Sequence, residues 1–170
     1  MRPTLSRPVP LYLREADVEE LLAPADAVEA VDACFARIAR GVVENDSRRR
    51  LGLEAGRLHV MAAADRELQR AGVKTYVGFA EGARFVVALF SADEPELLAL
   101  IEADRLGQLR TGAASAVAAR HLAKPDARTL GLIGTGWQAE SQLACIRAAL
   151  PGIEQVVAYS RNEERLQEFC

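Results

Sequence analysis

Residues 129–150, TLGLIGTGWQAESQLACIRAAL, constrain the fold more than any other stretch of the chain. Strand-forming residues run into a glycine turn, and an alanine-rich helical segment follows at once. Gly134, Gly136 and Ala139 match the spacing G-x-G-x-x-[GA]. In that spacing the first glycine permits a tight turn, and the second lets the backbone approach a pyrophosphate. The small third residue allows strand and helix to pack closely. Amides at the helix start, with the positive end of its dipole, then meet the phosphates. Gln138, within the motif, counts with Gly134, Gly136 and Ala139 among the cofactor-binding residues. A purely structural glycine turn is the plainer alternative.

Downstream, Pro151 and Gly152 stop the helix, QVVAY is a second strand, and NEERLQEF starts a second helix. Strand, helix, strand and a further helix start make a βαβ unit, less than half of an open doubly wound sheet. The second strand ends at Ser160 and Arg161, where such a fold reads the adenosine ribose. A hydroxyl and a guanidinium suit a 2′-phosphate, so NADP(H) is preferred, with NAD(H) as the alternative. An exposed arginine at a helix start is the bland reading, and Glu163 and Glu164 could serve that helix.

Upstream the pattern is mixed. ADVEELLA reads as a short helix capped by Asp17, and DAVEAVDACFARIARG as a longer one. In the longer one Asp26 caps the start, Gly41 ends it, and Val28, Val31, Phe35 and Ile38 recur at helical spacing. VVENDSRRRLGLEAG breaks the periodicity. RLHVMAA, GVKTYVGF, ARFVVALF and ELLALIE then read as four strands of an antiparallel sheet, covered on one face by the helix. TGAASAVAARHL, residues 111–122, predicts a helix whose small side chains admit another backbone or a ligand. Arg110 stands just ahead of it, and Pro125 and Asp126 mark a boundary near residue 127. The fold class is α/β: an α+β domain over residues 1–127, followed at 128–170 by the first part of a Rossmann domain.

Net charge of −3 and a pI near 5.5 give no electrostatic case for nucleic acid or anionic membrane. Apolar runs such as FVVALF are strand-length, far short of the roughly 20 residues of a membrane span. The start, MRPTLSRPVPLYL, lacks an apolar core and a cleavage signal, so no signal peptide is expected. Cys34, Cys145 and Cys170 are widely spaced, which suggests free thiols in a reducing cytoplasm and no metal knuckle. His59, His121, Glu102 and Asp104 belong to no catalytic spacing and read as structural. Trp137 packs beside a cofactor or against a helix.

LGQLRTGAASAVAARHLA followed by LIGTGWQA, with LHVMAAAD and GVKTYVGF earlier in the same order, resembles the ornithine cyclodeaminase/mu-crystallin family. The resemblance covers essentially the whole chain, more loosely before about residue 45. It implies an NAD(P)-dependent protein acting on the Cα–N bond of amino and imino acids, as reductase or dehydrogenase. Ornithine cyclodeaminase, forming proline and ammonia, and a non-catalytic NADPH-dependent ligand-binding protein are its alternatives. It further implies a substrate and dimerisation domain ahead of the Rossmann domain, with the full-length form a homodimer. Lys74 matches the lysine facing the substrate carboxylate and reacting carbon, and Arg110 an arginine binding that carboxylate. Thr111, Gly112 and Ala113 fall at the cofactor. In DSRRRL, Arg48 is the choice for a second carboxylate ligand, with Arg50 as its same-face alternate. A planar guanidinium grips a carboxylate with two parallel hydrogen bonds, and a lysine adds charge and a proton. On pattern alone Lys74 is a solvated strand residue, and the arginines are a solvated loop.

The resemblance also implies an aspartate from later in the Rossmann domain that moves protons at the substrate nitrogen. No position in this sequence matches it, so the chain reads as the N-terminal half of a family member. By itself it is expected neither to bind NADPH tightly nor to turn over.

Overall fold

The structure, a computed structural model, describes residues 9–80 and 82–170. The expectation about a signal peptide rests mostly on residues 1–8, outside the described ones. The chain divides into two compact units. The first takes residues up to Glu20 and Ala36–Asp104; the second takes Leu21–Phe35 and Arg105–Cys170.

The first unit is built on a seven-stranded sheet. Its elements are β1 (Leu11–Leu13), α1 (Glu15–Leu21), the end of α2 (Pro24–Ala39), β2 (Val43–Asn45), β3 (Arg49–Gly52), β4 (Arg57–Asp65), β5 (Arg70–Phe79), β6 (Gly82–Ser91) and β7 (Leu97–Glu102). The strands run β1-β7-β6-β5-β4-β2, with β3 also on β4. The four predicted strands are β4 to β7, and their pairings are antiparallel. The sequence pattern hides three short strands. β2 and β3 are three and four residues of mostly charged or polar character, laid along the outer edge of β4. β1 pairs parallel to β7, Leu11 facing Ala99.

Both predicted helix caps move inward. The backbone N–H of Arg14 donates to Asp17 Oδ2 (2.8 Å), so Asp17 sits in the first turn of α1, reaching back. Glu102 and Asp104 lie on different elements. Glu102 ends β7 and accepts the N–H of Glu15 (2.9 Å) and the hydroxyl of Tyr12 (2.8 Å). Asp104 opens the next helix and accepts the N–H of Phe85 (3.0 Å). α2 begins at Pro24, a residue that pre-sets the first helical φ, which puts Asp26 inside the first turn. The predicted end holds, with the N–H of Gly41 donating to the carbonyl of Ile38 (2.9 Å). Of its periodic apolar residues, Val28 is buried while Phe35 and Ile38 stay substantially exposed. At its last turn Arg37 Nε meets Asp65 Oδ2 at 2.6 Å. Burial alone would raise the Asp65 pKa, but the Leu68 amide and Arg37 outweigh it and lower it.

The second unit holds most of α2, α3 (Asp104–Leu122), β8 (Thr129–Ile133), α4 (Trp137–Ala149), β9 (Gln155–Tyr159) and α5 (Glu163–Phe169). β8 and β9 pair in parallel, with α4 as the crossover, as the turn motif predicts. α3 starts at Asp104, earlier than the predicted Thr111, and runs through buried Gly107. Arg110 therefore lies within α3. The core gathers Ala27, Val28, Leu109, Ala113, Ala116, Val117, Cys145 and Ile146. The small face of α3 admits a backbone: a Cβ on Gly112 would come 2.3 Å from the carbonyl oxygen of Ser141 in α4. Gly112 and Ala113 are thus buried in helix packing. Arg120 ties α3 to α2 through Asp32 (3.0 Å) and Glu29 (2.8 Å).

Candidate functional site

The candidate residues fall into two sets, one in each unit. In the second unit, strand β8 ends in the glycine turn. Gly134 has φ +99°, a conformation that disfavours a side chain, and its N–H donates to the carbonyl of Tyr159 (2.7 Å). The turn is thereby fastened to the end of β9. Gly136 precedes α4 in extended conformation, and no side chain caps that helix. The hydroxyl of Thr135 is buried without a hydrogen-bond partner among the described residues. An uncapped helix start, a glycine turn and an unmet hydroxyl fit a phosphate group.

A recess beside this turn is lined by residues 133–136, by Tyr159, Ser160, Arg161 and Asn162, and by Arg165. Ser160 Oγ accepts the N–H of Asn162 (3.2 Å), and Asn162 Oδ1 accepts the N–H of Arg165 (2.9 Å), capping α5. Arg161 and Arg165 therefore border the same recess. Ala139 is buried where α4 packs. Gln138 lies in the first turn of α4 and accepts the Ser141 hydroxyl through its backbone carbonyl (3.0 Å). Trp137 is half exposed, and its carbonyl accepts the carboxamide N–H of buried Gln108, whose Oε1 in turn receives Arg105 (2.6 Å). Gln108 thus holds the start of α4 from α3. Arg110 is exposed on α3, and Thr111 donates back to the carbonyl of Gly107 (2.8 Å).

In the first unit, strand register builds a cationic face. Arg50 lies opposite His59, His59 opposite Tyr76, and Tyr76 opposite Phe85. Lys74 is two residues from Tyr76, hence on the same face. His59 stacks flat on Tyr76, and Tyr76 meets Phe85 at 47° with centroids 4.4 Å apart. The Lys74 ammonium sits 5.0 Å from the Phe85 centroid and 5.7 Å from that of Tyr76. Lys74 is thus half-buried over aromatic rings, and not on a solvated strand face as its pattern alone reads. Arg49 points away and pairs with Asp46 at 3.6 Å. Arg48, one position ahead of β3, and Arg50 within it both act on His59. Burial lowers the imidazole pKa first, and Arg50, Arg48 and Arg57 lower it further.

The family model of ornithine cyclodeaminase/mu-crystallin proteins matches residues 9–170. The chain belongs to the ornithine cyclodeaminase/mu-crystallin family. A Delta(1)-pyrroline-2-carboxylate reductase of Bacillus thuringiensis subsp. konkukian is 40% identical over 118 residues, 69% of this chain and 34% of that protein. An alanine dehydrogenase of Archaeoglobus fulgidus is 33% identical over 166 residues, 94% of this chain and 51% of that one. A solved archaeal alanine dehydrogenase dimer with bound NAD superposes with a TM-score of 0.88 at 30% identity, covering 94% of this chain and 51% of that one. The chain therefore spans about a third to about half the length of these family members.

The sequence reading missed His59, Tyr76 and Phe85 as neighbours of Lys74, and Arg165 and Gln108 beside the turn. The strand alternation of RLHVMAA, GVKTYVGF and ARFVVALF carries the first three. Arg165 is readable as four residues beyond Arg161 at a helix start. Among the described residues no helix is long and apolar enough to cross a membrane, and no cluster of His, Cys, Asp or Glu has metal-binding geometry. All three cysteines are free, and burial raises the pKa of the Cys145 thiol.

Proposed function

We propose that this chain carries the substrate-binding, dimerisation and first nucleotide-binding elements of an NADP(H)-preferring oxidoreductase acting on the Cα–N bond of small amino and imino acids. The observation that carries this reading is the cationic, aromatic-floored sheet face around Lys74. Residues 1–127 form the substrate and dimerisation domain, and 128–170 open the Rossmann domain. Arg48 and Arg110 bind the substrate carboxylate. Two guanidiniums fix its orientation, which fixes the face of the Cα–N unit that reacts. Lys74 adds positive charge and holds a proton at the reacting centre, while Tyr76 and Phe85 limit its freedom and exclude water.

Gly134, Thr135, Gly136 and the α4 amides would hold the pyrophosphate, with Gln138 and Ala139 completing the turn and Thr111 contributing from α3. Ser160 and Arg161, joined by Arg165, would read the adenosine ribose and its 2′-phosphate. When bound, the dinucleotide supplies or accepts the hydride at Cα. The reading places the protein in the cytoplasm as a homodimer.

The intact protein is expected to oxidise NADPH with a cyclic imino acid, or with a 2-oxo acid and ammonia. The reductase reading fails if ornithine yields proline without net change in the cofactor. Tight NADPH-dependent ligand binding with no turnover would favour the non-catalytic alternative.

A further inference from the structure

The sheet face that carries Lys74 holds more positive charge than one carboxylate requires. Arg50 stands across from His59, and Arg57, two residues before His59 on β4, projects to the same side. Arg48, Arg50 and Arg57 are exposed, and none forms an ion pair among the described residues. A recess opens beside Arg57, lined by Gly56, Arg57, His59 and Gly78 among others. Glu54 also lines it, but pairs with none of these cations.

His59 is the hinge of this arrangement. Its ring is fixed by the flat stack on Tyr76, and its Nδ1 is buried without a partner. With that nitrogen unpaired, the Nε2–H tautomer is the one that turns a donor toward the recess. Gly78 lies beside Nε2, where an added Cβ would come into van der Waals contact with it at 3.9 Å. The recess thus presents an N–H donor beside a guanidinium, with a second guanidinium across the strand. Three gathered guanidiniums, set against the one carboxylate of Glu54, lower the cost of admitting an anion. The proposed α-carboxylate clamp uses Arg48 and Lys74 from this unit. Arg50, Arg57 and His59 are left over.

We propose that Arg57, His59 and Arg50 form a second anion subsite, so that the substrate is an amino or imino acid whose side chain ends in its own carboxylate. This rests on the reading of the protein as an amino- or imino-acid oxidoreductase, and names its substrate class.

Calorimetric titration of the intact protein, in the presence of oxidised cofactor, with aspartate and with alanine tests the proposal. Aspartate is expected to bind at least about tenfold more tightly, the worth of one charge-assisted contact. R57Q and H59F should each collapse that ratio toward one, and R57K should restore part of it. The lysine variant separates lost recognition from a damaged fold. Equal or weaker binding of aspartate, no binding of either amino acid, or a ratio indifferent to both variants would overturn the subsite. Binding with the expected ratio but no cofactor reduction would instead sink the oxidoreductase reading and leave the subsite standing.

Discussion

The imidazole of His59 lies flat on the phenol of Tyr76, 4.4 Å between centroids with 2° between the planes. Burial, and then Arg50, Arg48 and Arg57, hold its pKa below the ordinary 6.5. The folded protein therefore takes up this proton less readily than the unfolded chain. Below about 6.5 the unfolded state binds more protons at this site, so stability rises with pH there and falls on acidification. NMR of the intact protein should show His59 titrating below 6.5. A titration at or above that value would contradict the burial of the ring and the placement of the three arginines.

Gly112 is expected to be intolerant of even one added carbon. The methyl of alanine would drive against the backbone of Ser141, which cannot rotate out of the way. G112A should cost about 1–3 kcal/mol as α3 and α4 separate. Denaturant unfolding of the intact protein measures this, and a loss below about 0.5 kcal/mol, ordinary for a surface change, would refute the close packing.

Arg161 and Arg165 border one recess beside the glycine turn. Replacing both with glutamine should weaken NADPH binding by about tenfold or more relative to NADH, since only the former carries the 2′-phosphate. Fluorescence titration with each nucleotide gives the ratio. An unchanged ratio would remove both arginines from cofactor discrimination.

Lys74 is expected to act on turnover more than on folding. K74M keeps an unbranched apolar stem beside Tyr76 and Phe85 but removes charge and proton. Loss of a positioned proton donor lowers rates by about a hundredfold or more. Steady-state kinetics of the intact variant, with a thermal melt as control, should show that fall. Near-normal kcat/KM would take Lys74 out of the reaction.

The parts of the fold that sequence made legible share a strong local signal. β4 to β7 carry uninterrupted strand character, and the β8–turn–α4 segment joins a strand, a glycine that needs positive φ, and a helix. What stayed hidden depends on partners far along the chain. β1 to β3 exist because β7 and β4 offer hydrogen-bonding edges, which no window of charged or short apolar residues discloses. α3 runs through Gly107 because tertiary burial overrides its low helix propensity. At the site, Lys74 could be named only through the family resemblance that GVKTY shares with its companion motifs, whereas its aromatic floor depends on the register of three strands. The run Arg48, Arg49, Arg50 shows the same limit. Alternation separates Arg49 from its neighbours, but only the pairing of β3 with β4 says which face meets His59.

The most direct test of the central claim follows the hydride itself. The intact protein would be given NADPH bearing deuterium at its transferable position, together with an imino acid or with a 2-oxo acid and ammonia. The account predicts deuterium at Cα of the amino-acid product, seen by NMR, in step with NADPH oxidation. Product lacking deuterium at Cα, or formed while NADPH is left unchanged, would contradict it.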